Sequence, residues 1–296
     1  MTFRPMLAAT VDDIDRVVFP KLISPKIDGL RCVIREGNAF SRNMKPVAND
    51  YVRGMLQGLP SFDGELVVGA ADDPELWNKT QSGVRSKHGE PEFVLAVFDL
   101  SDQPNMGFVD RLKAAEAAIA TAVQRRPDLA RHLVLVPHRE ITTRAQLISD
   151  EELWVGRGYE GLMLRSLYGP YKLGRSTDHE QYLMKLKRWF DAEATIIDTV
   201  EALENLNEAT ISEIGLTKRA TKKENKRPKG MLGAMRVQVA GKSDTFEIGT
   251  GFTEAQRIDL WQRRDDLVGK VVTFKYQSMS EGGIARFPVF LRFHHE

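Results

Sequence analysis

Cysteine is nearly absent from this chain, whose 296 residues include only Cys32. A single thiol excludes an internal disulfide framework and a cysteine-rich zinc site. An excess of one charge is missing too, because 42 basic residues against 41 acidic residues leave a net charge of +1. Bulk charge therefore does not indicate a nucleic-acid partner, and any basic surface has to be local.

Long apolar runs are also absent. Residues 1–10 have no apolar core of the kind that signal peptides carry, and no stretch of the sequence is long enough to span a membrane. We therefore expect a soluble intracellular protein with no membrane partner. The apolar share of 42% is sufficient for a packed core, and the length suits one large domain or two ordinary ones.

The most informative stretch is 24–31, which reads Ser-Pro-Lys-Ile-Asp-Gly-Leu-Arg. It brings Lys26, Asp28, Gly29 and Arg31 close together in the sequence. A lysine amine can act as a covalent nucleophile when burial or nearby cations disfavour its charged form. Gly29 allows the backbone to approach a ligand closely. A cationic pocket of this kind suits a phosphate electrophile, whereas an isolated match of this type would indicate a charged hairpin tip.

Carboxylates stand at the ends of several predicted strands. Glu65 enters an apolar strand after an Asp-Gly turn, and Glu160 enters another. Asp99 lies near the end of the apolar run 93–100, where a buried acid needs a partner. Taken singly, each acid fits an ordinary structural or solvated role. Together with basic groups, such carboxylates suit a nucleotide with a divalent cation.

Lys185 and Lys187 alternate with apolar residues in a predicted strand, so that both point to one face. Two lysines on one face repel each other unless an anion or solvent lies there. An exposed edge strand is the alternative interpretation.

Local patterns predict the main helices. Residues 110–124 are Ala-rich with one apolar face, which is typical of an amphipathic helix. Thr143 is a candidate N-cap for a helix that runs to about Arg157. Thr253 and Gln256 form a capping-box pattern that opens a helix near the end of the chain.

The composition changes after Trp189-Phe190-Asp191. Residues 189–296 contain about five short predicted strands and one helix, which fits a small OB-type barrel. Inside this region, residues 201–229 are polar and have no core periodicity. The segment 218–229 holds seven Lys or Arg and one Glu. Such a run is either a nucleic-acid contact or a solvated loop.

In this order, the motifs resemble those of ATP-dependent DNA ligases, in particular the minimal members of that family. The stretch Lys26-x-Asp28-Gly29-x-Arg31 is similar to the family's nucleotidyl-acceptor motif. The other matching pieces are Ser41-Arg42, Asp63-Gly64-Glu65-Leu66, Phe98-Asp99, Glu160-Gly161 and Lys185-Leu186-Lys187. The resemblance covers nearly the whole chain. It implies an α+β fold, with a nucleotidyltransferase (ATP-grasp-like) domain of antiparallel sheets and flanking helices over 1–188, followed by an OB-fold β-barrel over 189–296.

The resemblance also implies a three-step reaction on nicked duplex DNA, with ATP as the AMP donor and Mg²⁺ or Mn²⁺ as the metal. Lys26 attacks the α-phosphate of ATP and carries AMP. The AMP then passes to the 5′-phosphate of the nick, and the 3′-hydroxyl displaces it and seals the strand.

The same resemblance assigns roles to individual residues. Phe98 stacks on adenine, and Arg42 and Glu65 hold the ribose. The residues implied to bind the nucleotide are Ser24, Arg31, Arg42, Glu65, Phe98, Glu160, Lys185, Lys187 and Arg286. Lys185 and Lys187 hold its α-phosphate, and Arg286 orients the pyrophosphate. The residues implied to serve the metal are Glu160 and Glu65.

The insertion at about 201–229 is similar to the family's DNA-encircling latch, so we expect a monomer that closes around DNA. The residues implied to contact DNA are Arg175, Lys218, Arg219, Lys222 and Lys223. Glu296 is the candidate for an acid that the family carries at the end of its barrel.

Two alternatives remain open at this point. RNA ligases and capping guanylyltransferases also use Lys-x-Asp-Gly, although Arg31 and the latch-like insertion favour a DNA ligase. A catalytically inactive nucleic-acid-binding protein would keep the barrel, but the intact Lys26, Glu65 and Glu160 argue against it.

Overall fold

The structure is a computed structural model, which describes residues 3–70, 73, 76–187, 189–205, 209–211, 217–219, 226–280 and 282–294. The chain divides into two compact units, which we call unit 1 (Met1–Lys187) and unit 2 (Arg188–Glu296). The domain bounds 1–188 and 189–296 remain predictions. Within the described residues, none of the helices combines the length and the apolar character that a membrane crossing requires.

Unit 1 contains both α-helices and β-strands, which are interspersed along the chain. Its strands β1 to β10 are Ala9–Thr10, Lys21–Pro25, Leu30–Arg35, Asn38–Ser41, Phe62–Val68, Phe93–Leu100, Leu133–Leu135, Arg139–Ile141, Leu162–Arg165 and Leu183–Leu186. Its helices α1 to α4 are Asp50–Leu56, Leu76–Arg85, Phe108–Arg125 and Arg144–Gly156.

These strands form two five-stranded sheets. The first sheet has the order β1-β10-β9-β2-β8, and the second has the order β4-β3-β5-β6-β7. Both are antiparallel, as predicted, except for one parallel pair at an edge of each, β1 with β10 and β6 with β7. The second sheet packs its apolar face, with Cys32, Leu66 and Leu95, against Leu56 of α1 and Ala115 of α3.

The predicted helix starts are confirmed at the two capping sites. The Thr143 side chain accepts a hydrogen bond from the backbone N–H of Gln146, and the Gln146 side chain accepts one from the Thr143 N–H. Thr253 and Gln256 form the same reciprocal pair at the next helix. Both boxes supply acceptors for helix-end N–H groups that have no partner inside the helix.

In its described residues, unit 2 is built on strands, with one α-helix, α5, at Glu254–Gln262. Its strands β11 to β19 are Phe190–Asn205, Ala209–Ile211, Thr217–Arg219, Lys226–Gln238, Thr245–Ile248, Val271–Tyr276, Ser278–Met279, Ala285–Arg286 and Val289–Phe293. The main sheet has the order β15-β14-β11-β16-β19. Its core joins Met235, Val272 and Phe274 to Leu260 of α5.

The expected closed barrel is not found in unit 2. Closure requires a ladder of hydrogen bonds between the two edge strands, and β15 and β19 do not pair in the described residues. The chain leaves β15 at Ile248 and soon enters α5. Only two hydrogen bonds among the described residues join Thr250, just after β15, to the start of β19. The N–H of Phe290 donates to the carbonyl of Thr250 at 2.9 Å, and the Thr250 hydroxyl donates to the carbonyl of Pro288 at 2.8 Å. The sheet therefore stays open.

The bounds predicted for the loop at 201–229 also differ from those that the structure shows. Strands β11 and β14 pair as far as Asn205 opposite Lys226, so residues 201–205 and 226–229 belong to a long hairpin. The patterning did not indicate strands here because the hairpin end is exposed and carries no apolar alternation.

Candidate active site

Lys26 and Glu160 lie side by side at one end of the first sheet of unit 1. The backbone N–H of Lys26 donates to the carbonyl of Gly161 at 2.8 Å, and the N–H of Glu160 donates to the carbonyl of Lys26 at 3.3 Å. These bonds continue the ladder between β2 and β9. Two motifs that are 134 residues apart in the sequence are thereby fixed against each other.

The Glu160 carboxylate is shared by two lysines. Lys26 Nζ forms an ion pair with Glu160 Oε2, and Lys187 Nζ donates to Glu160 Oε1 at 2.6 Å. Burial would raise the pKa of Glu160, but the charge of Lys26 and the hydrogen bond from Lys187 lower it below its usual value. Glu160 is therefore an ionised carboxylate at neutral pH.

Glycines in both motifs permit close packing of strands. A Cβ atom on Gly29 would overlap the carbonyl oxygen of Leu66 and lie 2.8 Å from Cγ of Glu65. Gly161 has a φ of +146°, and a Cβ atom there would overlap the carbonyl oxygen of Leu186. Gly29 thus permits the close approach of β5, and the approach to a ligand that the sequence suggested stays a prediction.

Arg31 and Glu65 face each other on the neighbouring strands β3 and β5 of the second sheet. Arg31 lies with its guanidinium carbon 4.7 Å from the centroid of the Phe98 ring. Burial raises the pKa of Glu65 to about 7, although the charges of Arg31 and Lys26 act in the opposite direction. Glu65 is consequently near its titration midpoint at neutral pH.

Further cations lie within electrostatic range of Lys26. Lys185, which is paired with Met163 across β9 and β10, has a lowered pKa. Burial is the largest cause, followed by the positive charges of Lys26, Arg175 and Arg42. Burial also lowers the pKa of Lys187, against the pull of Glu160. An anionic ligand would relieve the repulsion within this group.

Other predicted residues lie elsewhere or outside the described part of the chain. Ser24 is buried on β2, opposite Met163. Arg286 belongs to unit 2, where its guanidinium carbon lies 5.1 Å from the centroid of the Phe287 ring. The residues or side chains that fall outside the description are Lys218, Arg219, Lys222, Lys223 and Glu296.

Asp99 was expected to need a partner, and in the structure its partners are two arginines. Arg111 donates from Nε to Asp99 Oδ1 at 2.7 Å, and Arg165 Nη1 lies 2.9 Å from Asp99 Oδ2. All three side chains are buried. The sequence indicated a partner for Asp99 but not which residues provide it.

The contacts of Asp63 were not predicted from the sequence, in which Asp63 belongs to an Asp-Gly turn pattern. Asp63 is fully buried and accepts hydrogen bonds from Arg31 Nε and Nη2, both at 2.5 Å, and from the Tyr171 hydroxyl at 2.6 Å. One signal was available, since Asp63 and Glu65 are two positions apart in a strand and such residues share a face.

Comparison with known proteins agrees with this fold. The sequence pattern of the family described as "DNA ligase OB-like domain" matches residues 225–294. A solved structure from work on Lig E DNA ligases superposes with a TM-score of 0.69 over 99% of this chain and 100% of that one, at 24% identity. The architecture is thus that of a nucleotidyltransferase with an OB-like second domain.

Relatives with a higher sequence identity show which family within this class the chain belongs to. The crystal structure of Chlorella virus DNA ligase-adenylate is 32% identical, covers 99% of both chains and superposes with a TM-score of 0.56. The DNA ligase of African swine fever virus is 26% identical over 213 residues, which are 66% of this chain and 49% of that protein. The chain belongs to the ATP-dependent DNA ligase family. It spans about half the length of the curated relatives it matches.

Proposed function

We propose that this protein seals nicks with a 3′-hydroxyl and a 5′-phosphate in duplex DNA, with ATP as the AMP donor. The observation that carries the proposal is the arrangement of Lys26 and Lys187 on the two oxygens of Glu160. A lysine is the nucleophile that forms a phosphoramidate, and the surrounding cations suit the phosphate that it attacks. The Chlorella virus relative, which was crystallised as an adenylate, supports the same chemistry.

In the first step, Lys26 Nζ gives up its proton and attacks the α-phosphorus of ATP. A phosphorus–nitrogen bond forms, and the bond to the pyrophosphate leaving group breaks. Lys185 and Lys187 lie near Lys26, so they are placed to stabilise negative charge that develops on the α-phosphate. We assign Arg286 of unit 2 to the pyrophosphate, as the family resemblance implies.

In the second step, the 5′-phosphate of the nick attacks the AMP phosphorus and releases the Lys26 amine. In the third step, the 3′-hydroxyl attacks the adenylated 5′-phosphate, AMP leaves and the phosphodiester bond forms. We assign Arg31 and Arg175 to the nick phosphate. The guanidinium of Arg175 donates to the carbonyl of Ala8 at 2.6 Å, and Arg175 is exposed.

The residues present also suit a magnesium or manganese ion. Among the described residues, no group of three or more His, Cys, Asp or Glu side chains converges. Mg²⁺ is commonly held by one or two carboxylates together with substrate phosphates, which does not need such a group. Glu160 and Glu65 would hold the ion, which would stabilise charge on the phosphate oxygens when bound.

We assign DNA binding outside unit 1 to the insertion at about 201–229. Its described part is the hairpin of β11 and β14 and the strand pair β12 and β13. We propose that this segment closes around DNA in a monomer that acts inside the cell.

The test is to incubate the protein with labelled ATP or labelled GTP and magnesium, with a chelator control. We expect covalent AMP from ATP alone. Covalent GMP would instead indicate a capping guanylyltransferase, and the absence of any label would indicate a protein that binds nucleic acid without catalysis. The isolated enzyme–AMP is then given nicked DNA and nicked RNA, and sealing of the RNA alone would identify an RNA ligase.

A further inference from the structure

A closed set of hydrogen bonds surrounds Arg31. The Tyr171 hydroxyl donates to Asp63 Oδ2 at 2.6 Å and accepts from the backbone N–H of Met6 at 3.3 Å. Arg31 Nη2 donates to the carbonyl of Met6 at 3.1 Å. Asp63, which accepts from Arg31 at both oxygens, completes the circuit. The side chains of Met6, Asp63 and Tyr171 are buried.

This circuit fixes the orientation of the guanidinium. A guanidinium has five N–H donors in one plane. In Arg31, Nε–H and both hydrogens of Nη2 are used by Asp63 and Met6. Within the described part of the chain, Nη1 donates to no protein acceptor, so it is the edge that remains for an anion.

Tyr171 is the member of the circuit whose side chain comes from outside the strands β3 and β5. Burial and the charge of Asp63 raise the pKa of Tyr171 well above its usual value, so the hydroxyl stays a donor at neutral pH. Tyr171 also opens the loop that carries Arg175. That loop is joined to the same N-terminal segment, because the N–H of Leu7 donates to the carbonyl of Gly174 at 2.8 Å.

We propose that Tyr171 is a positioning residue for nick sealing, which orients Arg31 through Asp63 so that Nη1 faces the phosphate. Tyr171 does not touch the substrate. The inference rests on the proposed function, since it assigns Arg31 to the nick.

The test is a double-mutant cycle with Tyr171→Phe and Arg31→Ala. Single-turnover sealing of a nick is measured with preformed enzyme–AMP for the parent, both single variants and the double variant. Tyr171→Phe keeps the ring and removes the hydroxyl. We expect it to slow sealing by roughly tenfold to a hundredfold, the range for a hydrogen bond to a charged group. We expect no further loss when it is added to Arg31→Ala, because its effect passes through that side chain.

Tyr182→Phe is the matched control. Tyr182 packs on the same apolar cluster as Tyr171, and its hydroxyl makes no hydrogen bond to the described residues. This variant should seal at the parent rate. Thermal unfolding is recorded for every protein, and Asp63→Asn replaces Tyr171→Phe in the cycle if the latter does not fold.

Two results would overturn the inference while the proposed function stands. One is parent-like sealing by Tyr171→Phe. The other is an independent loss on top of Arg31→Ala, which is what a merely structural role would give. Failure of the parent protein to form enzyme–AMP or to seal nicks would instead refute the proposed function and, with it, the inference.

Discussion

Unit 1 contains two clusters in which one carboxylate is shared by two basic side chains, and they differ in exposure and in the type of base. Glu160 is 5% exposed, and its partners Lys26 and Lys187 are 23% and 18% exposed. Asp99 is fully buried, and its partners Arg111 and Arg165 are 1% and 3% exposed.

The type of base explains the difference. Arginine stays protonated in proteins, so the buried arginines hold the Asp99 carboxyl group in place and offer no nucleophilic amine. Lysine can lose its proton and become a nucleophile, and the partial exposure of Lys26 leaves room for a substrate. We therefore propose that the same charge pattern is structural in the arginine cluster (Asp99, Arg111 and Arg165) and chemical in the lysine cluster (Glu160, Lys26 and Lys187).

The largest effect expected in the lysine cluster is the loss of Lys26. Lys26→Ala should abolish covalent labelling from ATP, because no amine remains to form the phosphoramidate. Sealing of a nick that is already adenylated should partly survive, since that step needs no lysine nucleophile. Lys26→Arg should also fail in labelling, because arginine stays protonated. Stable AMP labelling of the Lys26→Ala protein would remove Lys26 from its proposed role.

Neutralising the shared carboxylate should separate the two clusters. Asp99→Asn leaves Arg111 and Arg165 buried without their acid, so we expect a loss of about 3–5 kcal/mol in the free energy of unfolding. Glu160→Gln should change that free energy by only about 1 kcal/mol, because its partners are partly exposed. It should nevertheless slow both adenylation and sealing by roughly a hundredfold.

Urea unfolding and single-turnover kinetics of the two variants measure this contrast. If Glu160→Gln sealed nicks at the parent rate across magnesium concentrations, the proposed role of Glu160 would be wrong. Equal destabilisation by the two substitutions would likewise end the distinction.

The members of the lysine cluster could be singled out in the sequence because each lies beside the end of a strand in a recognisable motif, and their roles stay predictions. The sequence predicted β6 from its continuous apolar run, α3 from its amphipathic pattern and α4 from its cap at Thr143, all of which are local signals. The arginine cluster could not be assigned in this way. Arg111 lies on a helix and Arg165 on a strand, and only the folded chain brings them to Asp99.

The Tyr171–Asp63 contact escaped prediction for the same physical reason. The two residues are 108 positions apart, and the register between β3 and β5 decides that Asp63 meets Arg31. The open sheet of unit 2 was missed because closure depends on where β15 ends, and strand patterning does not report that.

The pH dependence of adenylation should distinguish Glu65 from Glu160. The pKa of Glu65 is raised to about 7, so the side chain becomes ionised as the pH rises through that value. If the ionised form serves the metal and the ribose, the adenylation rate should increase between about pH 6 and pH 8 and then level off. More magnesium should move the midpoint to lower pH, because the ion favours the carboxylate.

The contribution of Glu65 to the free energy of unfolding should change with pH in the opposite sense to the adenylation rate. A carboxyl group whose pKa is raised on folding stabilises the folded protein at a pH below its unfolded-state pKa. That contribution is lost as the pH rises through its folded-state pKa.

Glu65→Gln should remove the inflection near pH 7 from the rate profile. An unchanged profile in this variant would show that another group titrates.

The smallest expected effect concerns the insertion of unit 2, whose basic residues are proposed to contact DNA. Lys222→Ser with Lys223→Ser removes two positive charges from it. Each neutralised phosphate contributes about 0.9 to the slope of log affinity against log salt, so two lost contacts should make the slope shallower by about 1.8.

The matched control, Lys113→Ser with Arg125→Ser, removes two charges from exposed positions of α3. It should leave the slope unchanged, because long-range charge alone is screened at moderate salt. Both proteins should form enzyme–AMP at the parent rate, since none of the four substituted residues belongs to the lysine cluster. Binding of a labelled nicked duplex over a series of salt concentrations gives the two slopes. Equal slopes in the two variants would reduce the insertion to a solvated charge run and confine the DNA contacts to other parts of the chain.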